Sequence, residues 1–175
     1  MNGRAAQKAE DIQLLVLDVD GVLTDGSLLY GAGNQDEIKS FNIKDGLGIK
    51  LLQKSGIEVA IITGRVSAAV ERRAAELSIV TLVQGREDKG VALQALLDER
   101  ALPASRVAYM GDDLPDLSAL KIAGLAACPN DAAAPVQDMA DWIAPLSGGR
   151  GAVRALADFL LASQGLLPIR LSEFH

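Results

Sequence analysis

Two aspartates separated by one residue, Asp18 and Asp20, have the spacing in this chain that most directly indicates chemistry. They follow the apolar run 14–17, which is typical of a central strand buried on both faces of a parallel sheet. Side chains alternate along an extended chain, so both carboxylates point the same way, and Gly21 lets the backbone turn away behind them. Carboxylates this close repel each other unless a cation lies between them or they take different roles. The pattern therefore predicts a ligand at this strand end.

Polar residues also follow the next three predicted strands. In chain order, the strand-end groups are Asp18 and Asp20, then Thr63 to Arg65, then Lys89, then Asp112, Asp113 and Asp116. The regular alternation of strands and helices predicts an α/β fold, a Rossmann-like doubly wound parallel sheet with helices on both faces. Ligands in such sheets bind beyond the carboxyl ends of the strands. The four groups are therefore expected at one site.

Apolar periodicity predicts the elements that position these groups. Strands are predicted at 14–18, 58–62, 79–83, 106–110 and 125–127, and helices at 45–55, 66–77, 88–100, 115–123, from about 131, and at 151–164. A short helix or arm is expected before the first strand, and a β-hairpin with a Gly/Asn turn at 27–42. Two predicted helix faces place Leu47 beside Leu51 and Leu52, and Val91 beside Leu93, Leu96 and Leu97. The length predicts a single domain with a hairpin insertion at 27–42 and a tail at 165–175.

Composition excludes several classes of function. The net charge of −6 disfavours binding to nucleic acid or to an anionic membrane, because a negative field repels polyanions. The single cysteine, Cys128, excludes an internal disulfide and is expected to be buried. The single histidine, His175, is the last residue, which disfavours histidine catalysis. No apolar run approaches membrane-spanning length, so a cytoplasmic protein is expected.

The strand-end groups occur in the order of four motifs of the haloacid dehalogenase superfamily, which this sequence resembles. The motifs are DVDGV at 18–22, Thr63 within ITGR, Lys89, and GDDLPD at 111–116. Within the superfamily, the segments FNIKDGLGIKLL and GGRGAVR extend the resemblance to the capless phosphatases of 3-deoxy-D-manno-octulosonate 8-phosphate. The resemblance implies a short hairpin in place of a large cap domain. It also implies Mg²⁺-dependent phosphate release in lipopolysaccharide precursor synthesis.

The resemblance assigns a role to each motif. Asp18 would attack phosphorus and form an aspartyl phosphate, and Asp20 would act as general acid and then as general base. Mg²⁺ would be held by Asp18, Asp112 and the backbone carbonyl of Asp20. Thr63 and Lys89 would bind the phosphoryl oxygens. Without the resemblance, a helix N-cap is an alternative role for Thr63, and Lys89 alone has the pattern of a solvated surface lysine.

The other two acidic residues of the last motif, Asp113 and Asp116, keep two interpretations. One would bind metal through water or orient Lys89, and the other would cap the following helix.

The sugar acid carries a carboxylate as well as a phosphate, so a second cationic contact is expected. Arg65 and Arg73 are the candidates, on nearby faces of the helix after the second strand, with Arg72 as a rival. The resemblance also supports substrate contacts from the segment NIKDG. The expected substrate-binding residues are Asp20, Asn42, Ile43, Lys44, Asp45, Gly46, Gly64, Arg65, Arg73 and Lys89.

The predicted hairpin is apolar for an exposed feature. Its apolar residues are Leu28, Leu29, Tyr30, Ile38 and Phe41. The resemblance implies a homotetramer in which neighbouring subunits bury these residues and close the active site.

Three other functions share parts of this pattern. A nine-carbon sugar-acid 9-phosphate fits the same residues, because nothing in the sequence measures the sugar pocket. A phospho-accepting receiver domain has a similar Asp, Thr and Lys set, but its extra acidic pair precedes the phosphoacceptor strand, whereas Asp20 follows Asp18 here. An inactive oligomerisation module would not need the complete acidic set.

Overall fold

The computed structural model describes residues 3–30 and 37–174. A six-stranded sheet lies at its centre in the order β3-β2-β1-β4-β5-β6, and all of its strand pairs are parallel. The strands are β1 (Leu14–Leu17), β2 (Glu58–Ile62), β3 (Thr81–Val83), β4 (Val107–Met110), β5 (Leu125–Cys128) and β6 (Trp142–Ile143). The strand order reverses at β1, which lies between β2 and β4, and a ligand site is expected at such a switch point. The predicted doubly wound α/β fold is confirmed.

Helices cover both faces of the sheet. They are α1 (Gly3–Ala9), α2 (Ile43–Lys54), α3 (Ala68–Glu76), α4 (Lys89–Arg100), α5 (Leu117–Ile122), α6 (Ala134–Met139), α7 (Ala152–Ser163) and α8 (Leu167–Ser172), with 3₁₀ turns at Ala104–Arg106 and Leu114–Asp116. Alternate residues of β1 face opposite sides, Leu15 and Leu17 toward one buried cluster and Leu14 and Val16 toward the other. All four are fully buried, which fixes the carboxyl end of β1 rigidly in the centre. In the ranges described, no helix has the length and apolar character to cross a membrane.

Two predicted helix faces are wrong in part. Leu47 is 40% exposed and Val91 is 61% exposed. The other residues of each predicted face are buried, and glycines extend these faces: a Cβ on Gly48 would lie 3.1 Å from Arg154 Cα, and one on Gly90 would lie 2.8 Å from Ser118 Cβ. Leucines therefore form most of each buried face as predicted, and close approach of a neighbouring helix at a glycine completes it.

The segment after β1 contains one antiparallel bridge, between Leu29 and Ile38, in which the Ile38 N–H donates to the Leu29 carbonyl at 2.9 Å. The turn predicted between these two residues lies at 31–36, outside the described residues, as does His175.

Helix α3 begins at Ala68, so the prediction that Arg65 lies on that helix is wrong. Strand β6 and helix α8 were not predicted, because they are only two and six residues long.

Candidate active site

Asp18 is the first residue after β1, and its N–H donates to the Met110 carbonyl of β4 at 3.0 Å. Its carboxylate is buried and meets the ammonium group of Lys89, with Nζ 2.9 Å from Oδ2. Lys89 is the first residue of α4 and is itself only 4% exposed, so the surface-lysine interpretation is wrong. The sheet and α4 thus hold a carboxylate and a lysine in contact inside the protein.

Asp116 positions this pair. Its Oδ1 accepts hydrogen bonds from Lys89 Nζ and from the Tyr109 hydroxyl, each at 2.7 Å. Its Oδ2 accepts from the backbone N–H groups of Asp112 at 3.2 Å and Asp113 at 3.3 Å. The Asp113 carboxylate instead accepts from the N–H of Leu114 and caps the turn that follows. Of the two roles left open, Asp116 therefore orients Lys89 and Asp113 is the cap.

A metal site fits the carboxylates at this edge. One oxygen from each of Asp18, Asp112 and Asp116 lies within 4.8 Å of the others. Both oxygens of Asp116 already accept hydrogen bonds, whereas no described residue donates one to the Asp112 carboxylate. Asp18 and Asp112 are therefore the carboxylates suited to a hard divalent cation, which prefers oxygen ligands.

Gly21 makes room for that arrangement. Its φ of +82° is in the left-handed region, and a Cβ at this position would lie 2.0 Å from Asp112 Oδ2. The loop at 148–151 supports the same turn from outside, where the Gly149 N–H donates to the Val22 carbonyl at 2.9 Å. A Cβ on Gly148 would lie 1.8 Å from the Gly21 carbonyl oxygen, so this packing also needs glycine.

The cluster holds more carboxylates than cationic side chains, so a further cation would stabilise its ionised form. Burial, followed by the charge of Asp116, raises the pKa of Asp18 to about 7, although Lys89 acts in the opposite direction. Burial, followed by the charges of Asp18 and Asp116, also raises the pKa of Asp112 to about 7. Burial alone would lower the pKa of Lys89, but its two carboxylate partners outweigh that effect and raise it. One lysine does not neutralise three carboxylates, and a divalent cation would complete the balance.

A cavity of about 680 Å³ opens above this cluster. Its lining combines the strand-end groups with residues of the intervening loops: Asp18, Asp20, Gly26, Thr63, Gly64, Arg65, Glu87, Lys89, Asp112, Asp113, Pro115 and Asp116. The predicted convergence of four strand ends on one site is thus seen directly. Thr63 lines the cavity and is buried, and α3 has Ser67 at its N-cap, so the N-cap interpretation of Thr63 is wrong.

Several predicted substrate-binding residues do not line this cavity. Asn42 caps α2 by accepting from the Lys44 N–H at 2.8 Å, and Ile43 is exposed. The buried Asp45 carboxylate accepts from the Arg154 N–H at 2.8 Å, at the start of α7. These contacts hold the beginning of α2 in place, and a role for the segment in substrate binding stays a prediction.

Arg73 is also directed away from the cavity lining. Its guanidinium donates to the Asn42 carbonyl at 3.3 Å and lies over the Phe41 ring, 5.7 Å from the centroid. It also fills the space beside Gly46, where a Cβ would lie 2.4 Å from its Nη2. Arg65 and Arg73 therefore do not form one cationic face, and Arg72 is exposed and paired with Glu76.

Two residues that support the site, Tyr109 and Lys39, were not predicted from the sequence. Tyr109 is a buried strand residue, and nothing in an apolar strand pattern shows that its hydroxyl reaches Asp116. Lys39 pairs with the carboxylates of Asp20 and Glu37 from the segment that pairs with Leu29. A lysine in a short amphipathic segment has the pattern of a surface residue.

Comparisons with known proteins agree with this geometry. A family model described as a haloacid dehalogenase-like hydrolase matches residues 74–156. The 3-deoxy-D-manno-octulosonate 8-phosphate phosphatase of Salmonella typhi is 49% identical over 160 residues, which cover 91% of this chain and 85% of that protein.

Solved structures give the same result. The phosphatase of that name from Moraxella catarrhalis, in complex with a magnesium ion, a phosphate ion and a KDO molecule, superposes with a TM-score of 0.96 at 41% identity, covering 100% of this chain and 99% of that one. The cobalt-bound phosphatase of Haemophilus influenzae superposes with a TM-score of 0.89 at 40% identity, covering 93% of this chain and 95% of that one.

Proposed function

The chain belongs to the haloacid dehalogenase-like hydrolases, and from this premise we propose that it hydrolyses 3-deoxy-D-manno-octulosonate 8-phosphate to the free sugar acid and phosphate. The observation that carries the proposal is the buried contact between Asp18 and Lys89 at the switch point of the sheet, with Asp112 beside it. Residues suited to act as nucleophile, phosphate-binding cation and metal ligand thus line one cavity, which supports the proposal.

Asp18 would attack the phosphorus atom and form an aspartyl phosphate, which divides one difficult hydrolysis into two steps. Mg²⁺ held by the carboxylates of Asp18 and Asp112 and the backbone carbonyl of Asp20 would reduce the repulsion between the nucleophile and the phosphate dianion. Lys89 would hold a phosphoryl oxygen with its ammonium group, and Thr63 with its hydroxyl. Asp116 and Tyr109 fix Lys89 for this task.

Asp20 would donate a proton to the oxygen of the departing sugar and then accept one from the attacking water. Its carboxylate lines the cavity two residues beyond Asp18, on the same side of the strand end. Phosphate and the regenerated Asp18 carboxylate are the products of the second step.

Arg65 is the cationic side chain we propose for the carboxylate of the sugar acid. It lines the cavity next to Gly64, its side chain is 47% exposed, and its fork geometry suits a carboxylate. A longer nine-carbon acid would meet the same arginine, so substrate length has to be measured.

We further propose a homotetramer in which neighbouring subunits help to close the cavity. The support is the apolar surface after β1, where Tyr30 is 74% exposed, Leu29 49% and Ile38 55%. We also propose that the enzyme works in the cytoplasm in lipopolysaccharide precursor synthesis, because charged sugar phosphates do not cross membranes unaided.

The test is phosphate release with Mg²⁺ from a panel of esters, each repeated with a chelator. The panel contains the octulosonate 8-phosphate, a nine-carbon sugar-acid 9-phosphate, a hexose phosphate and an aryl phosphate. We expect chelator-sensitive release that is fastest from the octulosonate ester. Preference for the nine-carbon acid would contradict the substrate assignment, and no release from any ester would contradict the proposed reaction.

A further inference from the structure

A network of ion pairs at the rim of the cavity joins two strand-end residues, Asp20 and Arg65, to two residues outside the motifs, Glu37 and Lys39. The side chain of Lys39 is only 1% exposed, and its ammonium group pairs with Asp20 and with Glu37. Glu37 also pairs with Arg65. Lysine side chains are seldom this buried unless they are paired, so Lys39 depends on its carboxylate partners, one of which is Asp20.

The two carboxylate oxygens of Asp20 have different hydrogen-bond partners. Oδ1 accepts the hydrogen bond from Lys39. No described residue donates a hydrogen bond to Oδ2, which lies 3.8 Å from Arg65 Nε. With Oδ1 engaged, Oδ2 is the oxygen left to exchange a proton with a ligand in the cavity.

We propose that Lys39 is a positioning residue that holds Asp20 so that Oδ2 can protonate the leaving group; this rests on the proposed function. Asp20 Oδ2 first accepts a proton from solvent in the cavity. The Asp18 oxygen then bonds to phosphorus, the bond from phosphorus to the sugar oxygen breaks, and that proton moves from Asp20 Oδ2 to the sugar oxygen. Glu37 pairs with the same ammonium group, so the segment containing both residues helps to fix the position of Lys39.

Substituted phenyl phosphates test this proposal without contacts to a sugar. A phenol of low pKa leaves without protonation, whereas unsubstituted phenol needs the acid. The ratio kcat/KM covers the steps up to departure of the phenol, so it isolates the acid step from hydrolysis of the phosphoenzyme. We expect Lys39→Met to lower kcat/KM at most about threefold for 4-nitrophenyl phosphate and about 30-fold for phenyl phosphate, part of the 10²–10⁴-fold typical of acid–base catalysis.

Lys39→Arg keeps a cation of similar reach and should recover most of the loss on phenyl phosphate. Lys121→Met removes an exposed lysine of α5 and should change neither ester. Glu37→Gln keeps Lys39 but removes one of its two carboxylate partners. The loss of kcat/KM should again be larger for phenyl phosphate than for 4-nitrophenyl phosphate, but smaller than in Lys39→Met. This variant decides the matter if Lys39→Met does not fold.

An equal loss on all phenyl esters would overturn the proposal, because a merely structural role does not discriminate between leaving groups. An unchanged leaving-group dependence in Lys39→Met and Glu37→Gln would overturn it as well. Failure of the unaltered protein to release phosphate from any ester, the octulosonate included, would instead refute the proposed function and this inference with it.

Discussion

Lys89 Nζ lies 2.9 Å from Oδ2 of Asp18, and this contact joins the end of β1 to the first residue of α4. Neither partner has meaningful access to solvent, so the pair is not a surface ion pair of small effect. The proposed nucleophile and the cation that would bind the transferring phosphoryl group are therefore held together before substrate arrives.

Replacing Lys89 by methionine is expected to lower kcat for phosphate release about 10²–10³-fold, since a preorganised charge at the phosphoryl group is lost. Tyr109→Phe removes only one of the two donors to Asp116 Oδ1, so its loss should stay below about 10-fold, with a decrease in unfolding free energy of about 1 kcal/mol. Steady-state kinetics and urea unfolding measure both effects. A larger loss of kcat in Tyr109→Phe than in Lys89→Met would contradict the direct role of Lys89 and the indirect role of Tyr109.

Gly21→Ala is expected to weaken metal binding, because the new Cβ would collide with the Asp112 carboxylate. The Mg²⁺ concentration for half-maximal activity should rise at least about 10-fold, the scale seen when groups around a metal site are disturbed. Gly56→Ala is the matched control, since Gly56 has a similar φ of +84° with no atom within 4 Å of the new Cβ. An equal effect of both substitutions would show that backbone strain, not the collision, is responsible.

The raised pKa values of Asp18 and Asp112, both about 7, predict that metal binding depends on pH. Without metal, the folded protein binds more protons than the unfolded chain between about pH 4 and 7. The stability contributed by the protonated carboxyls is therefore lost as pH rises through that window. Metal binds the ionised carboxylates, so its affinity should increase up to about pH 7.

Thermal unfolding in chelator and in excess Mg²⁺, from pH 5 to 8, measures both trends. The difference between the two midpoints should widen as pH rises. Asp112→Asn removes one titrating carboxyl and should reduce the pH dependence. A difference that is constant with pH would contradict the assignment of these two residues as metal ligands.

Asp45→Ala tests whether the buried carboxylate of α2 serves the fold. The Arg154 N–H at the start of α7 would lose its acceptor, which should lower the unfolding free energy by about 1–2 kcal/mol. Urea unfolding gives this value, with the exposed Asp138→Ala as the control. Unchanged stability with a strongly raised KM would favour the alternative role of Asp45 in binding substrate.

The position of the site could be predicted from the sequence, because the ends of the strands are easily recognised in the apolar pattern. The apolar run before Asp18 and the polar residues after each later strand suffice to bring Thr63, Lys89 and Asp112 to one edge of a parallel sheet. No packing detail is needed for that conclusion. The roles of Asp113 and Asp116 stayed open because they depend on which carboxylate points inward, which spacing does not determine.

Other features depend on contacts between elements that are distant in the chain. Leu47 and Val91 have the spacing of core residues but are exposed, whereas the adjacent Gly48 and Gly90 are closely approached by neighbouring helices. The direction of Arg73 is set by Phe41 and the Asn42 carbonyl, neither of which its own helix reveals. Such residues are placed by tertiary structure alone.

The central claim is that Asp18 is the nucleophile, and it is tested most directly by trapping the phosphoenzyme. The protein is mixed with the octulosonate 8-phosphate and Mg²⁺, quenched in acid within milliseconds to seconds, digested and analysed by mass spectrometry. The account predicts one added phosphoryl group on the peptide containing Asp18, lost in base, and neither phosphoenzyme nor turnover in Asp18→Asn. Retained turnover in Asp18→Asn, or a phosphoryl group trapped on another residue, would contradict it.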